Sequence, residues 1–268
     1  MFPKIFQFGD FFLPAYGVLV ALGVLAGLQA STTLAQRKGR DPEKISNLVV
    51  LCAITGLAGA KIAMILFDWE SHYKDHLGDI FSVSTLQAAG VFQGGLLLAI
   101  AFAWWYMKRR QMPFLETADL LAPGIAIGHG IGRLGCFAAG CCWGGQCDRA
   151  WAVVFRNQEA HDLTGVPLNV PLHPTQLYEA FAEFVIFGLL WQRAGWNLRP
   201  GAQIGFYLVM YSAVRFGVEF VRSHAQDLVV GLSLTQWMSL GFVALGAWFW
   251  YQARGLGSTS PTELSAKP

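Results

Sequence analysis

The chain has 268 residues and a formal net charge of +2; 54% of it is apolar and only 13% charged, where an average soluble domain carries roughly 25% charged residues. That balance argues against an ordinary soluble enzyme, and so small a charge argues against a nucleic-acid partner. Glycine is abundant, 30 residues, and falls inside the apolar runs, as expected where helices pack closely in a bilayer.

In chain order, the segments with the length and apolarity of membrane spans, about 20 residues each, are Pro14–Leu34, Ile45–Phe67, Leu86–Tyr106, Ala118–Phe137, Leu177–Trp196, Gln203–Val221 and Leu234–Tyr251. The fold class expected is therefore all-α, a polytopic membrane protein of about seven helices. The third segment begins Gln87-Ala88-Ala89-Gly90-Val91-Phe92-Gln93-Gly94-Gly95, polar and glycine-rich enough for a broken or re-entrant start. Residues 1–254 read as a single transmembrane domain and 255–268 as a disordered cytoplasmic tail. No cleavable signal peptide is expected, because the N-terminal segment carries Asp10 and leads into a full span.

Orientation follows from Lys and Arg in alternate loops. One side holds Arg37, Lys38, Arg40, Lys44, Lys108, Arg109, Arg110, Arg193, Arg199, Arg254 and Lys267; the other holds Lys4, Lys74, Arg149, Arg156 and Arg222. The richer side is cytoplasmic, which places the N-terminus outside, the C-terminus inside and the loop Gly144–Gln176 outward. Gly124, Gly128 and Gly132 on the fourth span, and Gly23 and Gly27 on the first, form small-residue rows expected at close helix contacts.

Polar residues inside apolar spans are costly, so they mark chemistry. The fourth span ends Gly132-Arg133-Leu134-Gly135-Cys136-Phe137-Ala138-Ala139-Gly140-Cys141-Cys142-Trp143-Gly144. Arg133 suits a phosphate through its planar fork of donors. His129 lies one turn earlier on the same face, and Cys136 three residues later. On the sixth span Arg215 and Glu219 are one turn apart, and Arg222 falls about two turns from Arg215. Two cations and one acid leave a positive surplus there for a lipid phosphate.

His173-Pro174-Thr175-Gln176-Leu177-Tyr178-Glu179-Ala180 opens the fifth span, with Glu183 a turn beyond Glu179. Capping and interface anchoring are as good a role for it as catalysis. Tyr16 and Lys61 are weaker polar candidates. Cys136, Cys141, Cys142 and Cys147 fall near the outer face, where a disulfide from Cys136 or Cys141 to Cys147 or plain packing is the favoured reading. A zinc site lacks the usual CxxC spacing, and a reactive thiol would draw on Arg133 or His129. No metal and no cofactor is expected.

Blocks along most of the chain resemble the prolipoprotein diacylglyceryl transferase family of bacterial membranes. They are Tyr16-Gly17, Gly59-Ala60-Lys61, Gly94-Gly95, the Gly132–Gly144 signature, His173–Ala180, Arg215–Arg222 and Ser233-Leu234-Thr235-Gln236. The resemblance implies transfer of the diacylglyceryl group of phosphatidylglycerol to the lipobox cysteine of a preprolipoprotein, beside its signal peptide, in the bacterial inner or plasma membrane. It places the family's signature arginine on Arg133, its sixth-span pair on Arg215 and Glu219, its first-span tyrosine on Tyr16 and its late glycine on Gly144. Substrate contacts are then expected from Arg133, Tyr16, Lys61, Gln93, Gly144, His173 and Arg222.

This chain departs from the family pattern in three places. Gln93 replaces a histidine, Lys61 replaces an arginine, and Cys136 and Cys141 stand where the signature has Asn and Glu. Gln93 hydrogen-bonds but takes no proton near neutral pH. His129, sharing a face with Arg133, is the base expected instead, and Glu219 orients Arg215. Those replacements keep open a different acceptor, or a catalytically idle protein that binds phospholipid; the clustered cysteines alone suggest thiol redox or metal transfer.

Overall fold

The computed structural model describes residues 2–9, 11–82, 85, 90–222 and 228–255. Among the described residues the chain is mostly helical: α1 (Ala15–Arg37), α2 (Pro42–Phe67), α3 (Phe92–Arg109), α4 (Phe114–Ala139), the short α5 (Gln158–Thr164), α6 (Thr175–Ala194), α7 (Ala202–Glu219) and α8 (Leu234–Gly255). The seven long helices take up the seven expected segments. Three of them, α1, α2 and α4, are long and apolar enough to cross a membrane by length and composition alone.

The third segment has the interrupted start that its glycine-rich sequence suggested. Gly90 has φ +74° and the Val91 N–H donates to the Ala60 carbonyl at 3.0 Å, so a turn pinned to α2 precedes a helix that begins at Phe92. Residues 86–89 of that expected span and 256–268 of the expected tail lie outside the described residues.

Helix ends follow from local chemistry. Asp41 caps α2 by accepting from the Glu43 and Lys44 N–H groups, with Pro42 at the first helical position. Asp119 of α4 caps α7 from outside it, accepting from the N–H groups of Gly201, Gln203 and Ile204 at 2.8–3.0 Å. This fixes the rotation of α7 against α4, and with it the face that carries Arg215.

α1 packs along α4, α2 along α3, α6 against both α4 and α7, and α7 along α8. The α1–α4 crossing is a backbone contact: a Cβ on Gly23 or Gly27 would lie 2.7 Å from the carbonyl oxygen of Gly128 or Gly124. A Cβ on Gly132 would meet nothing within 4 Å, so the expected row stops at Gly128. Large apolar side chains face outward, among them Leu57 and Leu66 on α2 and Leu97 and Trp104 on α3, while Thr175, Gln176, Glu179 and Glu183 are fully buried. That is the reverse of a soluble protein and suits a lipid-facing bundle with a polar interior.

The expected outward loop is folded. Strands β3 (Val153–Val154) and β4 (Pro171–Leu172) pair antiparallel, and Phe155, Ala160, Val166 and Leu172 form a small core with Phe137 and Trp143. This cap sits over the end of α4 and is joined to the N-terminal hairpin, β1 (Lys4–Phe8) and β2 (Phe11–Pro14), by a Lys4–Glu159 ion pair.

Candidate active site

His129, Arg133 and Cys136 share one face of α4, as their spacing requires. α6 runs beside that face and sets Glu179 and Glu183, also one turn apart, opposite them. Arg133 Nη2 is ion-paired with Glu179 Oε2, the side chains 12% and 1% exposed. His129 Nδ1 lies 2.6 Å from Glu183 Oε1, which also accepts from the Tyr207 hydroxyl at 3.3 Å. A carboxylate facing Nδ1 places the imidazole proton there and leaves Nε2 as the acceptor. The two acids, left open in the sequence between a structural and a catalytic role, are partners of the α4 cation and imidazole. Their four-residue spacing, matching that of His129 and Arg133, is the signal that pairs them.

On α7, Arg215 Nη1 and Glu219 Oε2 are 2.8 Å apart, as expected. Glu219 Oε1 accepts from Ser233 Oγ at 3.0 Å. Ser233 and Gln236 cap α8 reciprocally, the Ser233 N–H on Gln236 Oε1 and the Gln236 N–H on Ser233 Oγ. Sequence reasoning missed Tyr211, one turn before Arg215. Its ring meets His129 edge-on at 5.0 Å and stacks on Tyr207 at 5.9 Å. It lies within electrostatic reach of Arg133, Arg215, Glu179 and Glu183, so the groups of α4, α6 and α7 meet around it.

Arg222 is corrected in place. α7 ends at Glu219, and Arg222 follows in a bridge with Gly144 rather than on the helical face of Arg215. The Gly144 N–H donates to the His173 carbonyl at 2.9 Å and the Gly145 N–H to the Val221 carbonyl at 2.8 Å. A Cβ on Gly144 would lie 2.5 Å from Val221 O and 2.6 Å from His173 Cβ, so only glycine fits. Gly144, His173 and Arg222 therefore form one knot, in which His173 Nδ1 lies 3.0 Å from the Tyr178 hydroxyl.

Glu179 and Glu183 also offset the positive surplus expected near α7. Arg133 is paired with Glu179 and Arg215 with Glu219, while Glu183 faces His129. Even so, among the described residues the buried Nε atoms of Arg133 and Arg222 have no hydrogen-bond partner. Such donors are rare unless an acceptor completes them. Tyr16 lies in the first turn of α1, its ring beside Gly135 and within electrostatic reach of Arg133 and the thiols. Lys61 donates to the Thr85 carbonyl at 2.6 Å, and Gln93 is exposed in the first turn of α3. Those two sit on the α2–α3 pair, to one side of the α4–α6–α7 cluster.

The cysteines overturn the disulfide expectation: all five are free thiols. Gly140, at φ +82°, ends α4 in a Schellman turn, with the Cys141 N–H on Cys136 O at 3.1 Å and the Gly140 N–H on Phe137 O at 3.3 Å. The Sγ atoms of Cys136, Cys141 and Cys142 all lie within 4.8 Å of one another, while Cys147 is buried in the cap. Hydrogen bonds from Cys136 and Cys141, then nearby Arg133 and Arg222, hold the Cys142 thiol below its usual range. Hydrogen bonds with Cys136 and Cys142, then burial, push the Cys141 thiol up.

Residues 3–252 match the family described as prolipoprotein diacylglyceryl transferase. The chain is similar to the phosphatidylglycerol–prolipoprotein diacylglyceryl transferase of Ruegeria pomeroyi, 34% identical over 90% of this chain and 88% of the relative. It is likewise similar to that of Clostridium tetani, 29% identical over 92% of this chain and 95% of the relative. A protein of the same name with the suffix 2 from Clostridium perfringens is 30% identical over 92% of this chain and 93% of its own length.

Proposed function

The chain belongs to the prolipoprotein diacylglyceryl transferase family, and we propose that its α4–α6–α7 cluster carries the transfer. The protein is a membrane transferase of lipoprotein biosynthesis that moves a diacylglyceryl group from phosphatidylglycerol to a prolipoprotein. In our reading the acceptor is the thiol of the lipobox cysteine beside the signal peptide. The chain crosses the bacterial inner membrane seven times as one domain, N-terminus outside and C-terminus inside.

The observation that carries the site is the pair of buried guanidinium Nε–H groups on Arg133 and Arg222 that no acceptor among the described residues satisfies. A phosphodiester entering between the helices supplies that acceptor, and Arg215 adds a second bidentate donor. Glu179 and Glu219 fix the guanidiniums before the lipid arrives, so little reorganisation is needed as charge develops. The incoming sulfur bonds to the diacylglyceryl carbon that bears the phosphate ester. The carbon–oxygen bond breaks, and its electron pair leaves on glycerol phosphate, which gains one negative charge under the arginines.

The thiol proton passes to His129 Nε2. The resulting imidazolium is held through Nδ1–H by Glu183, itself held by Tyr207. Tyr16, Gly144 and His173 shape the outer end of the site; Lys61 and Gln93 contribute from the α2–α3 side. The test is single-turnover transfer to a lipobox peptide by His129→Ala. A fall of about a hundredfold or more is expected of a lost general base, and a wild-type rate would remove His129 from the mechanism.

A further inference from the structure

Cys136, Cys141 and Cys142 lie in the Gly132–Gly144 signature, and the diacylglyceryl transfer described above uses none of them. The way α4 ends brings them together. In a Schellman turn the residue third from the helix end and the second residue past it lie side by side; here these are Cys136 and Cys141, with Gly140 between them in the left-handed conformation. Cys142, at φ +64°, turns the chain back so that its sulfur joins the other two. The turn is held from outside: Thr175 Oγ1 donates to Cys142 O and Gln176 Nε2 to Cys141 O, both at 2.6 Å. Thr175 and Gln176 are fully buried.

We propose that these three thiols form a metal site for one zinc ion, bound as three thiolates with the fourth position taken by solvent. Three sulfurs on tetrahedral zinc, with Zn–S about 2.3 Å, are about 3.8 Å apart. The set already lies within 4.8 Å, so closure takes about an ångström at most. Zinc with three thiolates carries one net negative charge. Arg133 and Arg222 beside Cys142 supply the matching positive charge, whereas a bare cation would be repelled there. Cys147 is not part of the set, and the sulfurs are gathered by the turn at Gly140 rather than by a CxxC knuckle. The ion ties the last turn of α4 to the loop that leads into Gly144.

The test uses full-length protein purified in detergent under argon with reductant, then exposed to zinc alone and, separately, to cobalt(II) alone. About one zinc per chain and thiolate-to-cobalt charge-transfer absorption are expected. Both are expected to be lost in C136S, C141S and C142S and kept in Cys52→Ser. Zinc is also expected to protect the three thiols of wild-type protein from N-ethylmaleimide, read by peptide mass, which decides the matter if a serine variant does not fold. Absence of stoichiometric zinc, unchanged zinc in the triple serine variant, or unprotected thiols in zinc-loaded protein would each overturn the site. Because the readouts are metal content, absorption and protection, they stand apart from transfer activity.

Discussion

Glu179 is 1% exposed, and among the described residues its ion-pair partner is Arg133. Removing the acid alone strands a guanidinium in the interior, at a cost of about 3–5 kcal/mol. Glu179→Gln is therefore expected to lower the thermal midpoint of the detergent-solubilised protein sharply. Glu70→Gln, which breaks the exposed pair with Lys74, is expected to change stability by less than about 1 kcal/mol. Equal shifts in the two variants would count against a buried, prepaid clamp. Arg133→Lys keeps the charge and loses the fork; transfer is expected to fall about a hundredfold while the protein stays folded, checked by single-turnover rate beside circular dichroism.

The α1–α4 crossing depends on absent side chains. Gly27→Ala puts a Cβ 2.7 Å from Gly124 O and is expected to cost about 1–3 kcal/mol. Gly132→Ala, one turn past the contact, is expected to be neutral within about 0.5 kcal/mol. Thermal midpoints of the two variants check this pair. The glycine spacing in the sequence foretold the crossing but not where it stops, because that depends on the angle between the helices. Asp119→Ala removes the outside cap of α7 and is expected to cost about 1 kcal/mol, and to slow transfer by loosening Arg215; an unchanged rate would separate the cap from the site. Asp119 gave no such sign in the sequence, since its partners are backbone groups more than eighty positions away.

Apolar runs revealed the long helices and their order, and charged and imidazole groups inside those runs singled out Arg133, Arg215, Glu219 and His129 as candidates. What pairs with them was less legible. Glu179 and Glu183 come from another helix, and Arg222 reaches Gly144 only because α7 ends before it. Cys136 and Cys141 looked like disulfide partners for Cys147, because the turn that gathers them with Cys142 depends on the φ of Gly140 and Cys142. The exposed apolar faces of α2 and α3 and the Lys and Arg bias of the loops set the orientation proposed. A fluorescent-protein fusion after residue 254 is expected to fluoresce in the cytoplasm, and a fusion in the 140–174 cap to stay dark; the reverse would invert the protein. The central claim is met most directly by mass spectrometry of a lipobox peptide incubated with the purified protein and phosphatidylglycerol. The account predicts a gain of one diacylglyceryl group on the peptide cysteine with release of glycerol phosphate. An unmodified peptide in the presence of protein-bound phosphatidylglycerol would contradict it.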